Sequence, residues 1–200
     1  MSGSPLAAFH RANALTYASL VSAIGAISAA FHGSAAVAGA LIAVSVMADT
    51  FDGKFARLFH RTSEERAFGV QLDSLSDAIA FGAAPCVCMM LLAPPGAGSI
   101  RFAWWTAFAA FAACAITRLA FYNVTQAESR GFVGLPAPVA ALVWSSVLLL
   151  DPGATTSAGV LLGAAAAMVL PVPIPRPAGI SLALFTAWPL LVIVAHVARG

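Results

Sequence analysis

Residues 35–57 read AAVAGALIAVSVMADTFDGKFAR, and this stretch decides the fold. Residues 35–48 carry no charge, and their polar side chains reduce to the single hydroxyl of Ser45. Asp49, Asp52, Lys54 and Arg57 then follow in close succession. A helix running from 35 to 59 reaches the length of about 20 residues that crosses a bilayer's hydrocarbon core. It would carry its two carboxylates at one end, where apolar chain gives way to charge.

The rest of the chain repeats the apolar theme. Of its 200 residues 60% are hydrophobic and only 9% charged, against roughly a quarter charged in soluble domains. Apolar stretches predict seven spans, at 15–31, 35–59, 68–92, 102–123, 135–150, 154–170 and 180–197. They are separated by turn-forming breaks such as His32-Gly33-Ser34, Asp151-Pro152-Gly153 and the proline-rich 171–177. The expected fold class is all-α, a polytopic transmembrane bundle of about six to eight helices forming one integral-membrane domain over 1–200. A cleavable signal peptide is disfavoured, because further spans follow 15–31 at once and Asn13 and Thr16 sit at its entry.

Charge sets the orientation. With the N-terminus cytoplasmic, Arg11, Lys54, Arg57, Arg61, Arg66, Arg118, Arg130 and Arg176 fall on the inner side, and Arg101 and Arg199 on the outer. That bias follows the positive-inside rule and predicts a cytoplasmic-membrane protein with its chemistry on the cytoplasmic side. Trp104 and Trp105 are then expected in the outer aromatic belt, and His32, His60 and His196 at the interfaces. Glu64, Glu65 and Glu128 read as solvated inner-loop residues, and Trp144 and Trp188 as packing or lipid-facing. A net charge of +2 without a basic run excludes a nucleic-acid partner. The odd set Cys86, Cys88 and Cys114 lies in apolar segments and reads as buried thiols.

Four of the eight acidic residues, Asp49, Asp52, Asp73 and Asp77, fall at the inner ends of the second and third spans. A carboxylate in hydrocarbon costs about 2.5 to 3.5 kcal/mol on insertion scales, so it normally faces the bundle interior and has a partner. The spacings i, i+3 and i, i+4 put each pair on one helix face. No basic residue lies deep enough to neutralise all four, whereas two divalent cations balance four negative charges with four positive. Oxygen ligands of this kind suit Mg²⁺ or Mn²⁺ together with substrate phosphate. Gly53, Ala56, Gly69, Ser76 and Ala80 share the carboxylate stripes and let a base, ribose or pyrophosphate approach the backbone. Intramembrane carboxylates also mark ion paths, so a cation-coupled transporter stays open as the alternative. Against it, the acids cluster near one face and the chain shows no inverted repeat.

Asp49, Asp52, Gly53, Ala56 and Arg57, then Gly69, Asp73 and Asp77, occupy the fixed positions of D-x-x-D-G-x-x-A-R and G-x-x-x-D-x-x-x-D. The chain thereby resembles the CDP-alcohol phosphatidyltransferase family. Between the two halves lies a spacer of eleven residues, 58–68, longer than is usual in the family. The surplus falls in the charged stretch 61–66 and is expected to lengthen a surface turn. Residues 68–85, Arg118 to Asn123 and Gly134 to Pro138 look like the phosphatidylserine synthase branch of that family. Asn13 and Thr16 are similar to the family's entry to the first helix, although Ala12 stands where proline is common.

The resemblance implies transfer of a phosphatidyl group from CDP-diacylglycerol to serine, with CMP leaving. Glycerol phosphate or inositol phosphate remain alternative acceptors. It implies Asp49, Asp52, Asp73 and Asp77 as ligands of two Mg²⁺ or Mn²⁺ ions, and Asp77 as the catalytic base. Asn13, Thr16, Asp52, Gly53, Ala56, Arg57 and Gly69 would bind the CDP-lipid. Arg118 and Asn123, with Arg130 as a further candidate, would bind the acceptor, because a guanidinium grips a carboxylate bidentately. Arg118 reads alternatively as a helix-end or lipid-phosphate anchor. A homodimer is implied by the resemblance alone.

Overall fold

The computed structural model describes residues 9–96, 98–125, 131–175 and 179–200. Among the described residues eight α-helices follow in order: α1 Ala14–Phe31, α2 Ala35–Ala56, α3 Ser63–Asp77, α4 Ala84–Leu92, α5 Ser99–Thr125, α6 Ala137–Leu148, α7 Ala154–Val169 and α8 Ile180–Val197. Helices α3 and α4 form one rod, joined by the π-helical segment Ala78–Ala83. The seven expected spans therefore appear as seven rods among the described residues. A three-residue antiparallel ribbon, β1 Gly131–Val133 on β2 Pro173–Pro175, ties the entrance of α6 to that of α8.

Five of the rods are long and apolar enough to cross a bilayer, and the chain is an integral membrane protein. Helices α6 and α7 fall short of the spans expected at 135–150 and 154–170. The 12 residues of α6 reach only about 18 Å. Pro136 stands at the N-cap of α6, and the break Asp151-Pro152-Gly153 separates it from α7. Both short helices compensate by packing inward, burying Trp144, Leu142, Leu161 and Met168.

Helix α2 is the spine, with α1 along one flank and α6 and α8 along others. The α1–α2 turn closes as a Schellman motif, Ser34 N donating to Ala29 O at 3.0 Å and Gly33 N to Ala30 O at 2.9 Å. Gly33 takes the left-handed φ of 78° that this motif requires. Small side chains then let the rods approach: Ala38, Gly39, Ala43 and Ser45 are buried along α2.

The start of α3 corrects the expected surface turn. Thr62 caps the helix, its hydroxyl accepting from Glu65 N at 3.2 Å while Glu65 Oε2 accepts from Thr62 N at 2.8 Å. This capping box, with Glu64 and Glu65 in the first turn, begins the helix at Ser63 rather than at residue 68. The long spacer is thus spent on added helical turn.

Two aromatic assignments also change. Trp104 is buried and donates Nε1–H to Ala93 O at 3.2 Å, leaving only Trp105 exposed beside it. His196 is likewise no interfacial residue. It is buried against α2, with its Nε2 at 3.0 Å from Ser145 O, while Ser145 Oγ donates to Gly39 O at 2.8 Å. A Cβ on Gly39 would stand 2.2 Å from the His196 ring. Gly39→Ala is therefore expected to lower stability by about 1–3 kcal/mol, the scale of an overpacked core. Thermal unfolding in detergent reads this out, and an unchanged midpoint would refute the close-packed contact.

Candidate functional site

The last turns of α2 and α3 meet at one end of the bundle. Oxygens of Asp49, Asp52 and Asp73 lie within 4.8 Å of one another. Asp77, the last residue of α3, neighbours Asp49, as Asp73 does Asp52. The helix then widens into the π segment and enters α4 at Ala84-Pro85. Proline offers no N–H and crowds the carbonyl four residues back, which favours a shifted ladder just upstream. Asp77 sits at that joint.

Helix α1 closes the cluster from the other side. Thr16 Oγ1 donates to Asp52 Oδ2 at 3.0 Å, and Ser76 Oγ donates to Thr16 O at 3.2 Å. Asn13, buried in the short 3₁₀ turn Arg11–Asn13, stands above Gly69. Thr16 and Ser76 thereby tie α1 to both carboxylate helices.

The quartet sits on the partition between two clefts. One, of about 240 Å³, is lined by Asn13, Thr16, Asp52, Gly53, Ala56, Arg61, Arg66, Gly69, Val70 and Asp73. The other, of about 590 Å³, holds Asp49, Asp73, Asp77, Ser74, Arg118, Tyr122 and Asn123 at its polar end, and Leu135, Val139, Ile174, Leu182 and Phe185 along its apolar wall. Asp73 faces both.

These donors fit a hard divalent cation. The converging donors, from Asp49, Asp52 and Asp73, are all carboxylate oxygens, Asp77 standing outside that group, and Asp73 Oδ1 is buried with no hydrogen-bond partner among the described residues. A buried carboxylate oxygen so placed is costly unless it coordinates.

The model of the CDP-alcohol phosphatidyltransferase family matches residues 9–197. The chain belongs to that family. It is similar to CDP-diacylglycerol--serine O-phosphatidyltransferase of Mycobacterium tuberculosis, with 31% identity over 148 residues, 69% of this chain and 48% of the relative. The protein of the same description from Helicobacter pylori is 36% identical over 113 residues, 56% of this chain and 45% of the relative. Archaetidylserine synthase of Methanothermobacter thermautotrophicus is 36% identical over 117 residues, 58% of this chain and 48% of the relative. The chain spans about half the length of the curated relatives it matches.

Most residues singled out from the sequence come together. Asn13, Thr16, Asp52, Gly53, Ala56 and Gly69 share the smaller cleft, and Arg118 and Asn123 the larger. Arg118 is buried on α5 with its guanidinium carbon 5.6 Å from the Tyr122 ring centre, so it is a lining residue and not an anchor at a helix end. Asn123 Nδ2 donates to Ser74 Oγ at 2.7 Å. Arg57 stands beside the smaller cleft rather than in its lining. As the C-cap of α2 its exposed side chain lines an adjoining recess of about 230 Å³ with Phe59 and His60, which shares Ala56, Arg61 and Arg66 with the cleft that holds Gly53 and Gly69. Arg130 lies outside the described residues.

Arg61 and Arg66 were missed as cleft residues, having counted only toward topology. Their signal was the capping box between them, which fixes how the spacer folds back. Ser74 and Tyr122 were missed too, although each stands within four residues of a recognised position on the same helix.

Proposed function

We propose that this chain transfers the phosphatidyl group of CDP-diacylglycerol to the hydroxyl of L-serine, forming phosphatidylserine and releasing CMP. The observation that carries the proposal is the placement of four carboxylates between two clefts of different chemistry. One is walled by small residues and amide or hydroxyl groups suited to a nucleotide; the other pairs a guanidinium and an amide with an apolar wall. Serine synthases among the relatives support serine as acceptor. Family membership favours the transferase over the transporter.

Asp49, Asp52, Asp73 and Asp77 would hold two Mg²⁺ or Mn²⁺ ions, whose charge offsets that of the diphosphate and of the departing CMP. Asn13, Thr16, Gly53, Ala56 and Gly69 bind the CDP end, the glycines admitting it close to the backbone. Arg118 receives the serine carboxylate and Asn123 orients the amine. Asp77 takes the proton from the serine hydroxyl as that oxygen bonds to the lipid-bearing phosphorus. The bond from that phosphorus to the bridging oxygen breaks, and CMP leaves with the electron pair.

The positive-inside bias supports a location of this end of the bundle at the cytoplasmic face of the cytoplasmic membrane, where lipid would arrive laterally and serine from solution. The family match over 9–197 supports one integral-membrane domain, and a homodimer completes the reading. An acceptor panel tests it: purified protein, CDP-diacylglycerol, Mn²⁺ and serine, glycerol phosphate or inositol phosphate, with CMP release measured. Serine is expected to give the fastest release. If serine gives no more CMP than water while another alcohol does, the serine assignment fails.

A further inference from the structure

We infer that Arg61 and Arg66, both from the long spacer between the two signature halves, form a guanidinium clamp on the phosphates of the nucleotide. The inference rests on the proposed function, since it names who holds the CDP end of that substrate. Both arginines line the cleft that contains Asp52, Gly53 and Gly69, and both also line the neighbouring recess with Arg57 and His60. Two guanidinium groups and the carboxylates of Asp52 and Asp73 therefore line one space of about 240 Å³.

The position of Arg61 is built rather than incidental. A Cβ on Gly69 would lie 3.1 Å from Arg61 Nη1 and 3.2 Å from Asn13 Oδ1, so the guanidinium reaches across the α3 backbone instead of pointing to solvent. Gly69 is what leaves it room. The capping box of Thr62 and Glu65 holds the chain between the two arginines and engages the Glu65 carboxylate. Arg66 extends from the first turns of α3, its Nε 3.5 Å from Thr62 O.

Charge arithmetic assigns the partner. Two divalent cations cancel the four aspartates, which leaves the two negative charges of a CDP diphosphate unbalanced. Two guanidinium groups offset them. After transfer, CMP carries a phosphomonoester whose second ionisation falls near pH 6, so its charge grows as it leaves. The planar fork of arginine matches phosphate oxygens bidentately. Anionic lipid headgroups offer the same phosphate chemistry, and the experiment separates the two sources.

Purified full-length protein in detergent with Mn²⁺ is titrated with CMP and with cytidine by calorimetry. Arg61→Gln and Arg66→Gln are each expected to weaken CMP binding about 10-fold or more, the scale of a charge-assisted hydrogen bond, with cytidine affinity and the KM for serine unchanged. Arg61→Lys is expected to recover part of the loss. Equal loss of CMP and cytidine overturns the clamp, as does retained CMP affinity with lost binding to phosphatidylglycerol vesicles. Arg66 is exposed, so Arg66→Gln carries the same test if Arg61→Gln does not fold. A wild-type protein that binds no CMP overturns the clamp and the transferase reading together; unchanged CMP binding by both variants overturns the clamp alone.

Discussion

Asp77→Asn is expected to lower CMP release at saturating serine and CDP-diacylglycerol by about 10²–10⁴-fold, the usual contribution of a positioned general base. The substitution keeps the side chain's shape while removing the carboxylate that would accept the serine proton. Because Asp77 is also a proposed metal ligand, the deficit must be measured across a manganese titration. A base lost from the site is not restored by more metal, whereas a weakened ligand is. The decisive pattern is a low rate that stays low at saturating Mn²⁺, with CMP binding retained. Near-normal release by the variant would remove Asp77 from the chemistry, and full recovery at high Mn²⁺ would leave it as a ligand only.

The reason the four aspartates were legible from sequence is that their pairing is local. Spacings of three and four within one helix fix a shared face whatever the rest of the chain does, and the apolar context excludes a solvated role. The seven rods were legible for the same reason, since length and hydropathy do not depend on tertiary contacts. What the residues could not show was how α2 and α3 cross. The crossing decides that Asp52 faces one cleft, Asp49 and Asp77 the other, and Asp73 both.

Other features failed for identifiable physical reasons. The run from Arg61 to Arg66 was read as a loop because of its charge, yet Thr62 and Glu65 at the spacing of a capping box were the stronger signal. The π segment Ala78–Ala83 was not anticipated, although Pro85, which has no N–H to donate, lies just beyond it. His196 was the least accessible, since its burial depends on a missing side chain at Gly39 and a carbonyl on α6, both distant in sequence. Trp104 shows the same limit: the belt rule describes lipid-facing residues, and nothing in the Trp-Trp pair says which ring turns inward.

Asp73→Ala is expected to have the other largest effect, because Asp73 is the carboxylate common to both clefts and its Oδ1 has no hydrogen-bond partner among the described residues. CMP release should fall by at least about 10²–10³-fold, the scale of losing one preorganised charge-stabilising group, and manganese titration followed by electron paramagnetic resonance should show a reduced number of bound ions. Stability supplies an independent sign. Without metal, the quartet is a cluster of like charges whose mutual repulsion opposes folding, so removing one member should leave the metal-free protein as stable as wild type or more so. Adding Mn²⁺ should raise the wild-type melting midpoint, since an ion bound only by the folded state stabilises it, and should raise that of the variant much less. A variant that binds Mn²⁺ with wild-type affinity and number, and gains the same thermal shift, would mean that the carboxylates are not one metal centre. The transferase mechanism would then lose its source of charge neutralisation, while the helical bundle would stand on its apolar rods.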